Sequence, residues 1–168
     1  MNRMRRSLTV VCLVAVAALA NAQDFATRYM GENRCDTVLK CISIGPKMIS
    51  VVLNAGAQNE EQEQIKAILS NLKSMQIVTS TQNGEAYYEK AEQMAQKNTN
   101  RFEQYLAFDN ENEEGKILLH RRDDSIVELV MYLHRKEFFQ VIDFTGDMDD
   151  EFIDRLSKTI VPQGEDEK

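Results

Sequence analysis

The second half of the chain is written in period two. Residues Phe102–Phe108, Lys116–Arg121, Ile126–Leu133 and Phe138–Phe144 are four runs rich in apolar and aromatic side chains, separated by short polar segments. Connections that short can only return the chain beside itself, because parallel strands need a crossover of a dozen residues or more. The pattern therefore predicts an antiparallel meander of four strands. In the third run Val127, Leu129, Met131 and Leu133 share one parity, while Glu128, Val130, Tyr132 and His134 share the other. The first set is wholly apolar and is expected to pack on helices. The second is expected to face outward, with Val130, Tyr132 and His134 as a candidate interaction surface.

The preceding stretch carries helical spacing. Phe25 and Tyr29 stand four apart in a short helix expected over Gln23–Glu32, and Thr37–Ile44 reads as a strand ended by Gly45-Pro46, with Pro46 at the first turn of a helix running to Leu53. Asn59 can cap a helix whose apolar stripe is Ile65, Ile68, Leu69 and Leu72. Met75–Ser80 is a short strand, Gln82-Asn83-Gly84 a turn, and Tyr87, Tyr88, Ala91, Met94 and Ala95 mark a further helix. Asp147 or Asp149 opens a last helix with Phe152, Ile153 and Leu156 on its buried side. The chain reads as α+β: an N-terminal strand and helices packed on one face of a mostly antiparallel sheet that ends in a four-strand meander, followed by a C-terminal helix.

The first 22 residues have a different character. Arg3, Arg5 and Arg6 precede an apolar run from Leu8 to Ala20, which closes on Ala20-Asn21-Ala22. That small-x-small exit predicts a signal peptide over residues 1–22, cleaved after Ala22. The expected product is periplasmic or extracellular and soluble, with one α+β domain over residues 23–160 and a charged tail over 161–168. Losing residues 1–22 leaves 17 basic against 27 acidic side chains, a formal charge of −10. A charge of that sign argues against nucleic acid as partner. Nothing after the leader is apolar enough to span a bilayer.

Motifs for chemistry are absent from the sequence after residue 22. There is no GxSxG, HExxH, CxxC pair, phosphate-binding glycine loop or GxGxxG. His120 and His134 are expected to be roughly 20 Å apart, at opposite ends of one strand length, which does not suit a shared metal. The basic triplets at 120–122 and 134–136 are each followed by acid and read as local charge pairing. Asp147, Asp149, Asp150, Glu151 and Asp154 read as helix-start acids, because Phe152 stands where a calcium loop begun at Asp147 needs glycine. Cys35 and Cys41 are left as either a bridge, which would need a turn between them, or a loop thiol and a buried thiol. No catalytic residue, metal ligand or cofactor is assigned, and the oligomeric state is left open.

Several short stretches resemble a known family. They are Val38–Met48 (VLKCISIGPKM), residues 65–80 (IKAILSNLKSMQIVTS), residues 128–133 (ELVMYL) and residues 144–147 (FTGD). The chain resembles the domain of unknown function family 4252, small exported proteins of Bacteroidetes, over most of residues 25–158. The Gly45-Pro46 step and the two later cysteines depart from the expected family pattern. The resemblance implies an exported α+β domain and supplies no functional residues. The expected role is a non-enzymatic binding module of the bacterial cell envelope, with a protein or envelope partner. A small periplasmic hydrolase using carboxylates, or a carrier of small molecules or lipids, is the alternative. The hydrolase requires a pocket holding two acids, and the carrier a continuous apolar cavity.

Overall fold

The computed structural model describes residues 23–56 and 59–160, so the expected signal peptide and C-terminal tail lie outside the described residues. In chain order the elements are α1 (Phe25–Glu32), β1 (Lys40–Ile44), α2 (Pro46–Asn54), α3 (Glu60–Leu69), β2 (Leu72–Ser80), α4 (Gly84–Gln96), β3 (Glu103–Asn110), β4 (Glu113–Arg122), β5 (Ser125–Arg135), β6 (Phe138–Met148) and α5 (Asp150–Ile160). The six strands form one sheet in the order β1-β2-β6-β5-β4-β3, with every neighbouring pair antiparallel. The α+β architecture, the four-strand meander and the terminal helix are as the sequence predicts.

Local chemistry starts and stops these elements. The Asp24 carboxylate accepts the Thr27 N–H at 2.8 Å and caps α1, and Asn59 accepts the Gln62 N–H at 2.9 Å to cap α3. Pro46 opens α2 directly after Gly45. Asp149 accepts the Phe152 N–H at 2.7 Å at the start of α5. The acid run at 147–154 therefore begins with a strand residue and a cap. Two-residue loops join β4 to β5 and β5 to β6, and their first residues, Asp123 (φ 55°) and Lys136 (φ 54°), take the left-handed conformation.

Leu72, expected on the stripe of α3, instead begins β2 and is buried. The helix ends at Ser70-Asn71, where the Asn71 carbonyl accepts the Asp147 N–H at 2.9 Å. A Cβ on Gly146 would lie 2.1 Å from that carbonyl, so only glycine allows the approach. Ile65 is left largely exposed on α3.

Helices cover both faces of the sheet, which corrects the expectation of one. Alternation along each strand divides the core in two. On one face α1 and α4 pack with Val78, Leu118, Val130, Tyr132, Phe139 and Val141. On the other α2, α3 and α5 pack with Leu72, Leu119, Leu129, Phe144 and Met148. A bulge between Ile126 and Glu128 shifts the pairing of β5 with β6 and places Ile126 with the second set. The first face is aromatic: Phe25 stacks on Tyr132 at 6.0 Å and meets Phe102 edge-on at 5.9 Å. The second is mainly aliphatic.

Candidate interaction surface

The residues expected to form an outer contact surface lie beneath helices. Val130 is 0% and Tyr132 1% exposed, while His134 is half-buried against the Tyr88 ring at 4.7 Å. Their strand parity reads correctly; what covers it does not, because α1 and α4 occupy that face. A charge at position 132 would disrupt the core and would report nothing about a partner.

Around Tyr132 the helix and sheet meet through polar groups. Glu92 of α4 accepts the Tyr132 hydroxyl at 2.8 Å and the Lys116 ammonium at 2.7 Å. Burial works to raise the Glu92 pKa, but these two donors outweigh it and hold the carboxyl below its usual range. Burial, then the neighbouring acids, drives the Tyr88 and Tyr132 hydroxyls well above ordinary phenols. Tyr87 donates to Asp36 at 2.6 Å, and its pKa is pushed up to about 12 by burial and that bond. Both neighbouring tyrosines, Tyr87 and Tyr88, are thus core residues rather than groove lining.

A second polar cluster lies under the first turn of α1. Glu128 accepts the Phe25 N–H at 2.7 Å and the Arg101 guanidinium at 2.5 Å. Asp143 accepts the Ala26 N–H at 2.7 Å. His120 Nδ1 lies 3.5 Å from Glu128, whereas His134 lies 3.4 Å from Glu114. In the register His120 is opposite Glu128 and His134 opposite Glu114, six residues apart along β4, so the two rings serve different acids. Arg121 binds Glu103 and Asp150, each at 2.8 Å, as local charge pairing.

A groove of about 280 Å³ runs between α1 and α4, lined by Tyr29, Glu32, Asn33, Lys90, Gln93, Met94 and Lys97. Its wall is mostly polar, and neither Glu128 nor Asp143 reaches it. Among the described residues no cluster of three or more His, Cys, Asp or Glu is placed to hold a metal ion. No helix among them is long and apolar enough to cross a membrane.

The largest group of exposed apolar side chains is elsewhere, on β1 and α2, with Ile65 of α3 and Tyr105 and Leu106 of the opposite edge strand β3 also exposed. All of β1 except the half-buried Ile44 is exposed, and among the described residues only β2 pairs with it. Ile42 is 61% exposed, and Met48, Val51 and Val52 of α2 are 58%, 66% and 37% exposed. The last three stand at i, i+3 and i+4 and form one helical stripe. Ile49 and Leu53 of the same helix face the aliphatic core. A helix apolar on both sides is built to be covered on both. Thr37 to Asn59 also holds two lysines, Lys40 and Lys47, and no acid, in a chain of net negative charge. Sequence reasoning missed this surface, although the second apolar stripe of α2 was readable from residues 46–54. Cys41 is exposed on β1 rather than buried, and Cys35 is exposed in the preceding loop; both are free thiols.

No curated protein and no solved structure matches the chain. The model of a domain of unknown function, DUF4252, matches residues 36–156, from the loop before β1 into α5. Helix α1 precedes the matched stretch, while the β1 edge, α2 and the acids Glu92, Glu128 and Asp143 of the two polar clusters fall within it. The chain belongs to the DUF4252 family.

Proposed function

We propose that this protein is an exported, non-enzymatic binding module of the bacterial cell envelope, and that it meets its partner through the β1 edge and the outer stripe of α2. The observation that carries the reading is the bare apolar stripe Met48, Val51 and Val52 on the helix that directly follows β1, whose Ile42 is also exposed. An edge strand offers unpaired backbone groups to a partner strand, and flanking apolar side chains add area and specificity. The Ala20-Asn21-Ala22 exit and the apolar run before it support export with cleavage after Ala22. Glu128 and Asp143 are the two buried acids a carboxylate hydrolase would need. Their oxygens hold the first turn of α1 instead of facing the groove.

The test is chemical crosslinking and affinity capture of residues 23–168 from the native envelope, comparing wild type with Ile42→Glu and Val51→Glu. A near-stoichiometric partner captured by wild type and lost in both folded variants supports the reading. Equal capture by all three moves the contact away from this edge.

A further inference from the structure

The polar cluster beneath α1 does not balance in charge. Asp143 is 1% exposed, and its Oδ2 accepts the Ala26 N–H while its Oδ1 is buried with no hydrogen-bond partner among the described residues. The groups that face it come from every element packed there. They are Glu128 from β5, Arg101 from the segment before β3 and Asp24 from the cap of α1; β4 contributes His120, 3.5 Å from Glu128, and β2 the neutral Gln76, opposite Asp143 in the register. Burial and then the Arg101 charge hold the His120 pKa below its ordinary value, so this ring is neutral at pH 7. That leaves three carboxyls against one guanidinium and a helix N-terminus worth roughly half a charge. Arg101 is bound to Glu128 at 2.5 Å, so the one guanidinium in the cluster is directed at Glu128 rather than at Asp143. An apolar pocket does not hold a second uncompensated carboxylate; it takes up a proton.

We infer that Asp143 is carried as a neutral carboxylic acid, and that this neutral form latches the N-terminal helix α1 onto the sheet through its Oδ2 and the Ala26 N–H. Burial first and the Glu128 charge second act in the direction this assignment requires. Ionising Asp143 places another negative charge under a turn whose first amides are already matched: Phe25 to Glu128, Ala26 to Asp143 and Thr27 to Asp24. Lifting that turn would bare Phe25, Tyr29 and the rings of Tyr132 and Phe139 that they stack against. Because the Asp143 pKa is raised on folding, the latch is strongest below the ordinary aspartate value, 3.8, and weakens as pH rises from there through the folded value.

The test reads the amide exchange of Phe25 and Ala26 against pH in wild type and in Asp143→Asn, which mimics the protonated acid in shape. Once intrinsic exchange is divided out, opening of these amides in wild type should grow by up to roughly tenfold per pH unit between the ordinary aspartate value, 3.8, and the folded value, and level off above it. In Asp143→Asn it should stay flat. Parallel pH profiles would overturn the latch. Should the variant fail to fold, carbon-13 titration of the Asp143 carboxyl in wild type decides the matter. A carboxyl still protonated at pH 7 supports the inference, and an ionised one overturns it.

Discussion

The two faces of the sheet are built on different principles. Under α1 and α4 the core is aromatic and crossed by hydrogen bonds between elements: Tyr132 to Glu92, Tyr29 to the Tyr87 carbonyl, Tyr87 to Asp36, and the α1 amides to Glu128 and Asp143, with Asp143 Oδ1 left without a partner among the described residues. Under α2, α3 and α5 it is filled mainly by Ile, Leu, Met and Phe. Directional bonds fix where a helix stands, whereas an aliphatic layer demands only volume. Apart from Tyr105 of β3, the large exposed apolar residues follow the same division. Ile42 pairs with Ile77 and Leu106 with Ile117, all on the aliphatic side, and Met48, Val51, Val52 and Ile65 belong to helices of that side. The hydrogen-bonded face is closed on itself. The aliphatic face runs out to a rim that remains open.

Substitutions can break this contrast. The largest effect is expected from Glu128→Ala, which leaves Arg101 and the Phe25 N–H without their carboxylate; it should cost about 3–5 kcal/mol in chemical denaturation. On the aliphatic face Leu129→Met keeps volume and should cost less than about 1.5 kcal/mol. Equal costs would remove the distinction between the faces. Tyr132→Phe deletes one hydroxyl and should cost about 1 kcal/mol, read from the same denaturation curves.

The pH dependence has two opposing limbs. Asp143 has a raised pKa, so stability falls as pH climbs from the ordinary aspartate value, 3.8, through its folded value. His120 has a lowered pKa, so stability falls as pH drops from 6.5, the ordinary histidine value, towards its folded value. Thermal melts across pH should show Asp143→Asn flattening the alkaline limb alone, with the acid limb kept. The smallest effects belong to the rim and the turns. Val51→Lys should change stability by no more than about 0.5 kcal/mol, and Lys136→Gly, which relieves a left-handed residue, should stabilise by less than about 1 kcal/mol.

Strands and helices were legible because periodicity reports them locally. Residues 126–133 make a mainly apolar run of strand length, buried on both parities, and Phe25 and Tyr29 fall on one side of α1. What covers a face is a tertiary fact. Val130 and Tyr132 have the composition of an outer apolar face, and only the return of α1 and α4 over them makes that face core. The β5 bulge illustrates the same limit, since it moves Ile126 across the sheet while leaving the residue pattern unremarked. Leu72 matched the helical spacing of α3 and was drawn into β2 by Gly146 and Asp147, more than seventy residues away. The buried pair Glu128 and Asp143 lies on two strands and acquires meaning only where α1 lands. The rim on α2 was the legible part that went unread: its nine residues carry apolar side chains on both sides, which already called for two coverings.

The account turns on that rim, and carbene footprinting tests it most directly by reading which side chains a partner shields. Residues 23–168 would be labelled alone and with native envelope extract, and modification compared along β1, α2, α4 and β3. The account predicts protection at Ile42, Met48, Val51 and Val52, with labelling of the outer residues of α4 and of Tyr105 unchanged. Protection of α4 or β3 with the α2 stripe still fully labelled would contradict it.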